Sequence, residues 1–274
     1  MSAARPAPFF LPADHGRLFC VAHRPQTADC RRGAILVPPF AEEMNRSRRQ
    51  MFLFGRTLAT AGILTILPDL YGTGDSDGDL REAEWSGWQR DIVKAAEWLQ
   101  LQGVSEISLI GLRLGALLAA SLSGDIVADG GSLVLVQPVI NGEQFVTQFL
   151  RLRLAADMVR PSESKLTTAD LRRQLQDGDV LEVAGYPLSP ALAHAIDELK
   201  MADLLAATDR DLCWYEVSAQ GALSPAASRL LEKLQPASLR TQVIAGEPFW
   251  STQEIAVVPA LAESVASALK QKKL

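Results

Sequence analysis

The chain has 274 residues, 48% of them hydrophobic, enough apolar material for one large α/β domain or two small ones. Lys and Arg number 27 against 32 Asp and Glu, a net charge of −5, which gives no basic footprint for nucleic acid or an anionic membrane. The three cysteines, Cys20, Cys30 and Cys213, are too few and too scattered for a disulfide framework or a zinc site. They suit a reducing compartment, and the opening MSAARPAPFFLPADHG has no apolar run long enough for a signal peptide. No apolar segment reaches the ~20 residues of a membrane span. The expectation is a soluble, cytoplasmic protein with no membrane span and no cofactor.

In chain order, Phe9–Pro12 and Leu18–His23 read as an antiparallel strand pair turning at Asp14-His15-Gly16. Ala34–Val37 is a buried strand stopped by Pro38-Pro39, and Arg48–Ala61 is an amphipathic helix closed by Gly62. Leu64–Pro68 is the next strand, followed by the turn-rich LYGTGDSDGD. Trp85–Gln102 is a long helix with Trp88, Ile92, Ala95, Ala96 and Leu99 at helical spacing. A strand at Ile107–Ile110 leads through a turn into an apolar helix ending near Leu122. Leu133–Gln137, Leu212–Val217 and Thr241–Ala245 are strands, and Ile255–Lys270 is a closing helix. Between Gln137 and Asp211 no strand is evident, and the pattern predicts helices over Glu143–Val159, Thr168–Gln176 and Pro190–Ala206. The alternation predicts a mostly parallel sheet covered by helices on both faces, with a core of residues 1–140 and 208–274. Residues 141–207 are a helical insertion, either a cap over a pocket at the functional end of the sheet or an excursion packed beside it.

The stretch ISLIGLRLGALLAA, Ile107–Ala120, has the strand–turn–helix layout of the G-x-S-x-G nucleophile elbow of α/β-hydrolases. Its five central residues are Gly111-Leu112-Arg113-Leu114-Gly115, with arginine where that motif carries serine. Around it lie VPPFAEEMNRSRR (Val37–Arg49), DLYGTGDSDGD (Asp69–Asp79), QPVINGEQFVTQFLRLRLA (Gln137–Ala155), AGYPLSPALAHAIDELK (Ala184–Lys200) and GEPFW (Gly246–Trp250). With GLRLGALLA (Gly111–Ala119), these strings resemble the exosortase A system-associated hydrolase 2 family of the α/β-hydrolase superfamily, from about Phe9 to Glu254. The resemblance implies an α/β-hydrolase fold with a helical cap and a Gram-negative bacterial source. It implies a genomic setting with exosortase A, PEP-CTERM sorting and exopolysaccharide synthesis, whose proteins are the implied protein partners. It implies no substrate, and it implies that arginine at the elbow is a family feature.

Arginine cannot serve as the nucleophile, because its guanidinium stays protonated and has no lone pair to offer. It can hold a carboxylate or phosphate through a planar fork of donors, or pair internally with Glu42 or Glu43. Asp75 is a third candidate carboxylate. The superfamily's histidine follows the last strand, but no histidine follows His194, and that position runs Glu247-Pro248-Phe249-Trp250. His15 lies in a hairpin turn, His23 near a strand end and His194 on an insertion helix. The acid is also missing: Ser218–Leu223 carries no carboxylate, Glu216 lies inside a strand, and Glu143 has no histidine to orient. Gly72, Gly74 and Ser76 resemble the superfamily's structural G-x-G-x-S turn. Phe40, Ala41 and Leu114 are candidate backbone N–H donors in the oxyanion position. Glu42 and Glu43 face the pocket or open the next helix, where acidic side chains are favoured.

Two functions follow. One is a binding or accessory protein that holds an anionic small molecule on Arg113, with Phe40, Ala41, Leu114 and Glu43 around it. The other is an atypical hydrolase or acyltransferase with a non-standard catalytic set.

Overall fold

The computed structural model describes residues 5–26, 30–127, 130–157, 166–236 and 238–270. Strands β1 (Pro6–Ala13) and β2 (Gly16–His23) form the opening hairpin. Then follow β3 (Arg32–Val37), helix α1 (Glu42–Thr60), β4 (Leu64–Pro68), a short 3₁₀ turn at Leu80–Glu82, and α2 (Trp85–Leu101). Strand β5 (Glu106–Leu112) leads to α3 (Leu114–Ser121), the short α4 (Ser123–Ile126) and β6 (Leu133–Val136). The insertion comprises α5 (Gly142–Asp157), α6 (Thr168–Gln176), a hairpin of β7 (Leu181–Val183) and β8 (Tyr186–Leu188), α7 (Pro190–Asp197) and α8 (Met201–Ala206). The chain closes with β9 (Leu212–Val217), α9 (Pro225–Leu234), β10 (Leu239–Ile244) and α10 (Pro259–Lys270).

Eight strands form one sheet in the order β1-β2-β4-β3-β5-β6-β9-β10. Strand β2 runs antiparallel to both neighbours, and β4, β3, β5, β6, β9 and β10 run parallel to one another. Strand alternation divides the interior in two. Ala34, Leu36, Ile110, Leu112, Val134, Val136, Cys213 and Tyr215 face the side covered by α1 and α10. Ile35, Val37, Leu109, Leu133, Leu135 and Trp214 face the side covered by α2 and α3. Helix α3 is apolar on every face and buried from Leu114 to Ala120, because the sheet lies on one side and other helices on the rest.

Several elements differ from the sequence expectation, each for a local reason. Helix α1 starts at Glu42, six residues before the predicted start, so both glutamates form its first turn. The insertion is not purely helical. In LEVAGYPL a two-residue turn, Ala184-Gly185, has both φ angles positive (51° and 85°) and brings β7 onto β8. Alanine rarely takes that conformation, so the turn left no signal. The helix predicted over Pro190–Ala206 breaks at Lys200, which is extended and pairs with Asn141, while the Met201 N–H bonds the Ile140 carbonyl. Helix α9 was not predicted, although Ser224 caps it and Pro225 occupies its first turn. The closing helix begins at Pro259 rather than Ile255. Met158 and Val159, the end of the predicted Glu143–Val159 helix, lie outside the described residues. No helix among the described residues is long and apolar enough to cross a membrane.

Two buried ionisable groups set an acid response. His23 is fully buried at the end of β2, its ring edge-on to Phe52 and so close to Gly55 that any added Cβ there would strike it. Neither ring nitrogen finds a partner among the described residues, and burial lowers its pKa to about 4. The unfolded imidazole titrates near ~6.5, so between these values the unfolded chain binds the extra proton and acidification favours unfolding. Asp91 on α2 accepts from the Tyr71 N–H at 2.8 Å, and burial raises its pKa to about 6. Its unfolded value is ~3.9, so from about pH 6 to ~4 the folded chain binds the proton and acidification favours folding. The two responses oppose each other. Asp91→Asn is therefore expected to steepen the loss of stability between pH 6 and 4, and His23→Gln to flatten it, by up to about 3 kcal/mol in urea midpoints converted to free energy.

Candidate functional site

Arg113 stands between β5 and α3 with φ 56° and ψ −119°, a conformation costly for any residue with a Cβ. The flanking glycines make the turn sterically feasible. A Cβ on Gly111 would lie 2.4 Å from the Gly115 carbonyl oxygen, and one on Gly115 would lie 2.3 Å from that of Pro38. The close-packed, strained turn of a nucleophile elbow is thus present with a guanidinium at its apex. Ala41, at the N-terminus of α1, adopts nearly the same backbone geometry, φ 53° and ψ −125°. Two strained turns, one after β3 and one after β5, launch the helices beside the site.

Of the carboxylates considered, Glu43 is the partner of Arg113. Arg113 Nε donates to Glu43 Oε1 at 3.0 Å, and Nη1 reaches the Gln137 carbonyl at 3.4 Å. The side chains are 19% and 21% exposed, so the pair is largely withdrawn from water. Burial pushes the Glu43 carboxyl above its ordinary pKa, against the opposing pull of Arg113. Glu43 Oε2 is buried and finds no hydrogen bond among the described residues, at a cost of about 1–3 kcal/mol. The Trp250 ring lies 5.6 Å from the guanidinium carbon, near enough for a cation–π contribution of about 0.5–2 kcal/mol. Trp250 occupies the segment after β10, the position at which the superfamily carries its histidine. Its indole stands in the sequence string GEPFW, where only its contact with Arg113 in the fold gives it a role.

Other contacts of α1 hold this arrangement. Glu42 pairs with Arg46 at 2.9 Å, and Arg46 also donates to the Ser251 and Thr252 carbonyls beside Trp250. Asn45 donates to the Tyr186 hydroxyl at 2.6 Å, and that hydroxyl lies 3.4 Å from Glu42 Oε2, tying the small hairpin to α1.

A cavity of about 160 Å³ opens above the pair, lined by Phe40, Glu42, Glu43, Arg113, Phe145, Gln148, Phe149 and Leu152. Phe145 and Phe149 come from α5 and meet Phe40 edge-on, at 6.2 and 5.1 Å between ring centroids. Phe40 follows the carboxyl end of β3 and Arg113 that of β5, so α5 lies across the carboxyl ends of these strands. The structure thus brings Arg113, Glu43 and Phe40 to one cavity. Leu114 lines a separate, small apolar pocket that Phe40 also borders, and Ala41 lines a third recess with Tyr186 and Pro187.

The remaining candidates lie elsewhere. Ser76 accepts from the Phe19 N–H at 2.8 Å and donates to the Asp69 carbonyl at 2.6 Å, a structural link. Asp75 offers its N–H to Asp69, which also holds Arg48 through two contacts of 3.1 Å. Glu216 is buried and accepts both the N–H and the hydroxyl of Ser224, anchoring the start of α9. Glu143 is exposed at the start of α5, and His194 is exposed on α7. His15 touches Arg90 at 3.3 Å on the surface. No imidazole bonds a hydroxyl among the described residues. Cys20 and Cys213 are buried, and burial with nearby carboxylates pushes the Cys20 thiol up to about 12. Among the described residues no three His, Cys, Asp or Glu side chains converge as metal ligands would.

The architecture is similar to solved α/β-hydrolases. Est1E from Butyrivibrio proteoclasticus, solved with ferulic acid bound, aligns over 96% of each chain at 18% identity and a TM-score of 0.63. The esterase domain of a Rhodothermus marinus protein covers 97% of this chain and 98% of its own at 14% identity and a TM-score of 0.64. An α/β serine hydrolase homologue from Coxiella burnetii covers 97% and 96% at 14% identity and a TM-score of 0.58. At such identities the likeness is one of fold: the chain has the α/β-hydrolase fold. The sequence matches no protein-family profile and no curated protein.

Arg113→Ala strands Glu43 in a largely dry site. It is expected to lower stability by about 2–3 kcal/mol, less than the ~3–5 kcal/mol for breaking a fully buried pair. Glu43→Gln in the same chain is expected to restore part of that loss. A double-mutant cycle by denaturant unfolding measures the coupling, and a cycle closing at zero would show that the contact carries no energy.

Proposed function

We propose that this protein is a ligand-binding member of the α/β-hydrolase superfamily that does not use a Ser-His-acid triad. The observation that carries the reading is the apex of the elbow, where Arg113, paired with Glu43 and covered by Trp250, fills the space in which a serine and a histidine would operate. A guanidinium offers neither attacking lone pair nor transferable proton at neutral pH. Phe40, Phe145, Phe149 and Leu152 give the cavity apolar walls, which suit a small molecule with an acyl or aryl body. Est1E binds ferulic acid in its own solved structure, and an aryl ligand is compatible with the walls here. Glu43 already supplies a negative charge to Arg113, which argues against the second one that an anionic ligand would bring. In an exosortase and exopolysaccharide setting, as the sequence resemblance implies, this would be an accessory binding role.

The second reading, an atypical hydrolase or acyltransferase for esters or thioesters, rests on the retained elbow and on Phe40, Ala41 and Leu114 as candidate backbone donors for an oxyanion. A fluorophosphonate probe and a panel of p-nitrophenyl esters and acyl thioesters separate the two. No labelling and no turnover above background are expected for the natural chain. Arg113→Ser is expected to stay inactive as well, because Trp250 stands where a base is needed. Labelling lost on replacing a single serine would establish a displaced nucleophile and favour the second reading.

A further inference from the structure

On the ligand-binding reading above, the size of the occupant follows from the walls of the cavity over Arg113. The mouth lies at Gln148 and Leu152, which are exposed, and the buried walls are Phe40, Phe145 and Phe149. The volume, about 160 Å³, is close to the ~150 Å³ of an apolar protein cavity that holds one benzene ring. It gives room for one ring or roughly six carbons of an acyl chain.

More apolar space lies behind these walls. The pocket bordered by Leu70, Trp85, Trp88 and Leu118 encloses about 20 Å³. Among the described residues, Phe40 alone lines both it and the cavity. That pocket in turn shares Met44 and Thr73 with the recess of about 270 Å³ beside β8. Three voids thus lie in succession, and the Phe40 ring closes the first from the other two. The ring is held in place by Trp88 at 5.9 Å on one side and by Phe149 and Phe145 at 5.1 and 6.2 Å, between centroids. Its backbone is fixed on both sides, by Pro38-Pro39 before it and by the strained Ala41 after it.

We propose that Phe40 is the residue that sets ligand length. The natural chain takes a molecule with a single ring or a short acyl body. A longer body has to push the Phe40 ring out of its three aromatic contacts, so its added carbons gain little. Removing the ring joins the cavity to the apolar pocket behind it and lengthens the body that fits. Each methylene moved from water into apolar contact strengthens binding about fourfold, so the length at which that gain stops measures the depth of the site.

The test is isothermal titration calorimetry of the full chain with the even-numbered alkan-1-ols from 1-butanol to 1-decanol. In the natural chain affinity is expected to climb to 1-hexanol and then level off, leaving 1-decanol within about fourfold of it. In Phe40→Ala, 1-decanol is expected to bind at least about tenfold more tightly than 1-hexanol. Leu152→Trp, at the mouth, is expected to weaken 1-hexanol binding at least about tenfold. Affinity that keeps climbing to 1-decanol in the natural chain, or levels off at the same length in Phe40→Ala, would overturn the length inference and leave the cavity reading standing. Binding of none of the alcohols, or binding indifferent to Leu152→Trp, would overturn the cavity reading itself. If Phe40→Ala does not fold, Phe40→Leu decides: the preference for 1-decanol over 1-hexanol is expected to rise at least about fourfold over that of the natural chain, and an unchanged preference overturns the inference.

Discussion

The site depends on a single electrostatic demand. A guanidinium placed on the turn between β5 and α3, largely out of water, must meet negative charge nearby, and Glu43 meets it. That requirement fixes where α1 begins, because the helix must start early enough for its first turn to reach the elbow. It also accounts for the surroundings of the pair. The Gln137 carbonyl takes one of the remaining donors and the Trp250 face lies against the charge. Glutamates in a first turn are favoured by the helix dipole, so the residue that neutralises Arg113 also suits its own helix.

The turn itself shows how a fold can hold an elbow geometry around a guanidinium. Backbone strain at Arg113 costs about 1–3 kcal/mol, and the surrounding sheet and α3 hold it in place. Gly111 is required by the close approach of the first turn of α3, and Gly115 by that of the Val37 and Pro38 carbonyls at the end of β3, whatever side chain stands between them. Packing therefore maintains the elbow whatever side chain stands at its apex.

Much of this was legible in the sequence. The sheet strands alternate cleanly or run continuously apolar between punctuating glycines and prolines, and the elbow is a local pattern of five residues. The alternatives for Arg113 included its actual partner. What was not legible depends on tertiary contact or on exceptions to propensity. The Ala184-Gly185 turn uses alanine at positive φ, and the break at Lys200 is imposed by pairing with Asn141. The role of Trp250 emerges only when the segment after β10 folds back over a helix more than 200 residues earlier in the chain, where Arg46 holds it. The capped start of α9 is legible from Ser224-Pro225, a serine N-cap followed by proline in the first turn.

The first turns of α1 touch three parts of the chain that do not otherwise share an element: the elbow through Glu43, the small hairpin through Glu42 and Asn45, and the segment after β10 through Arg46. A helix used in this way restricts the mutational routes open to the protein. Replacing Arg113 alone strands Glu43, and replacing Glu43 alone strands Arg113, so either first step passes through a less stable chain. Placing a serine and a base at this turn would need the apex, its counter-charge and the residue over it to change on three separate elements. The short run from Glu42 to Arg46 thus couples three parts of the chain, and a change in any one of them is felt by the other two.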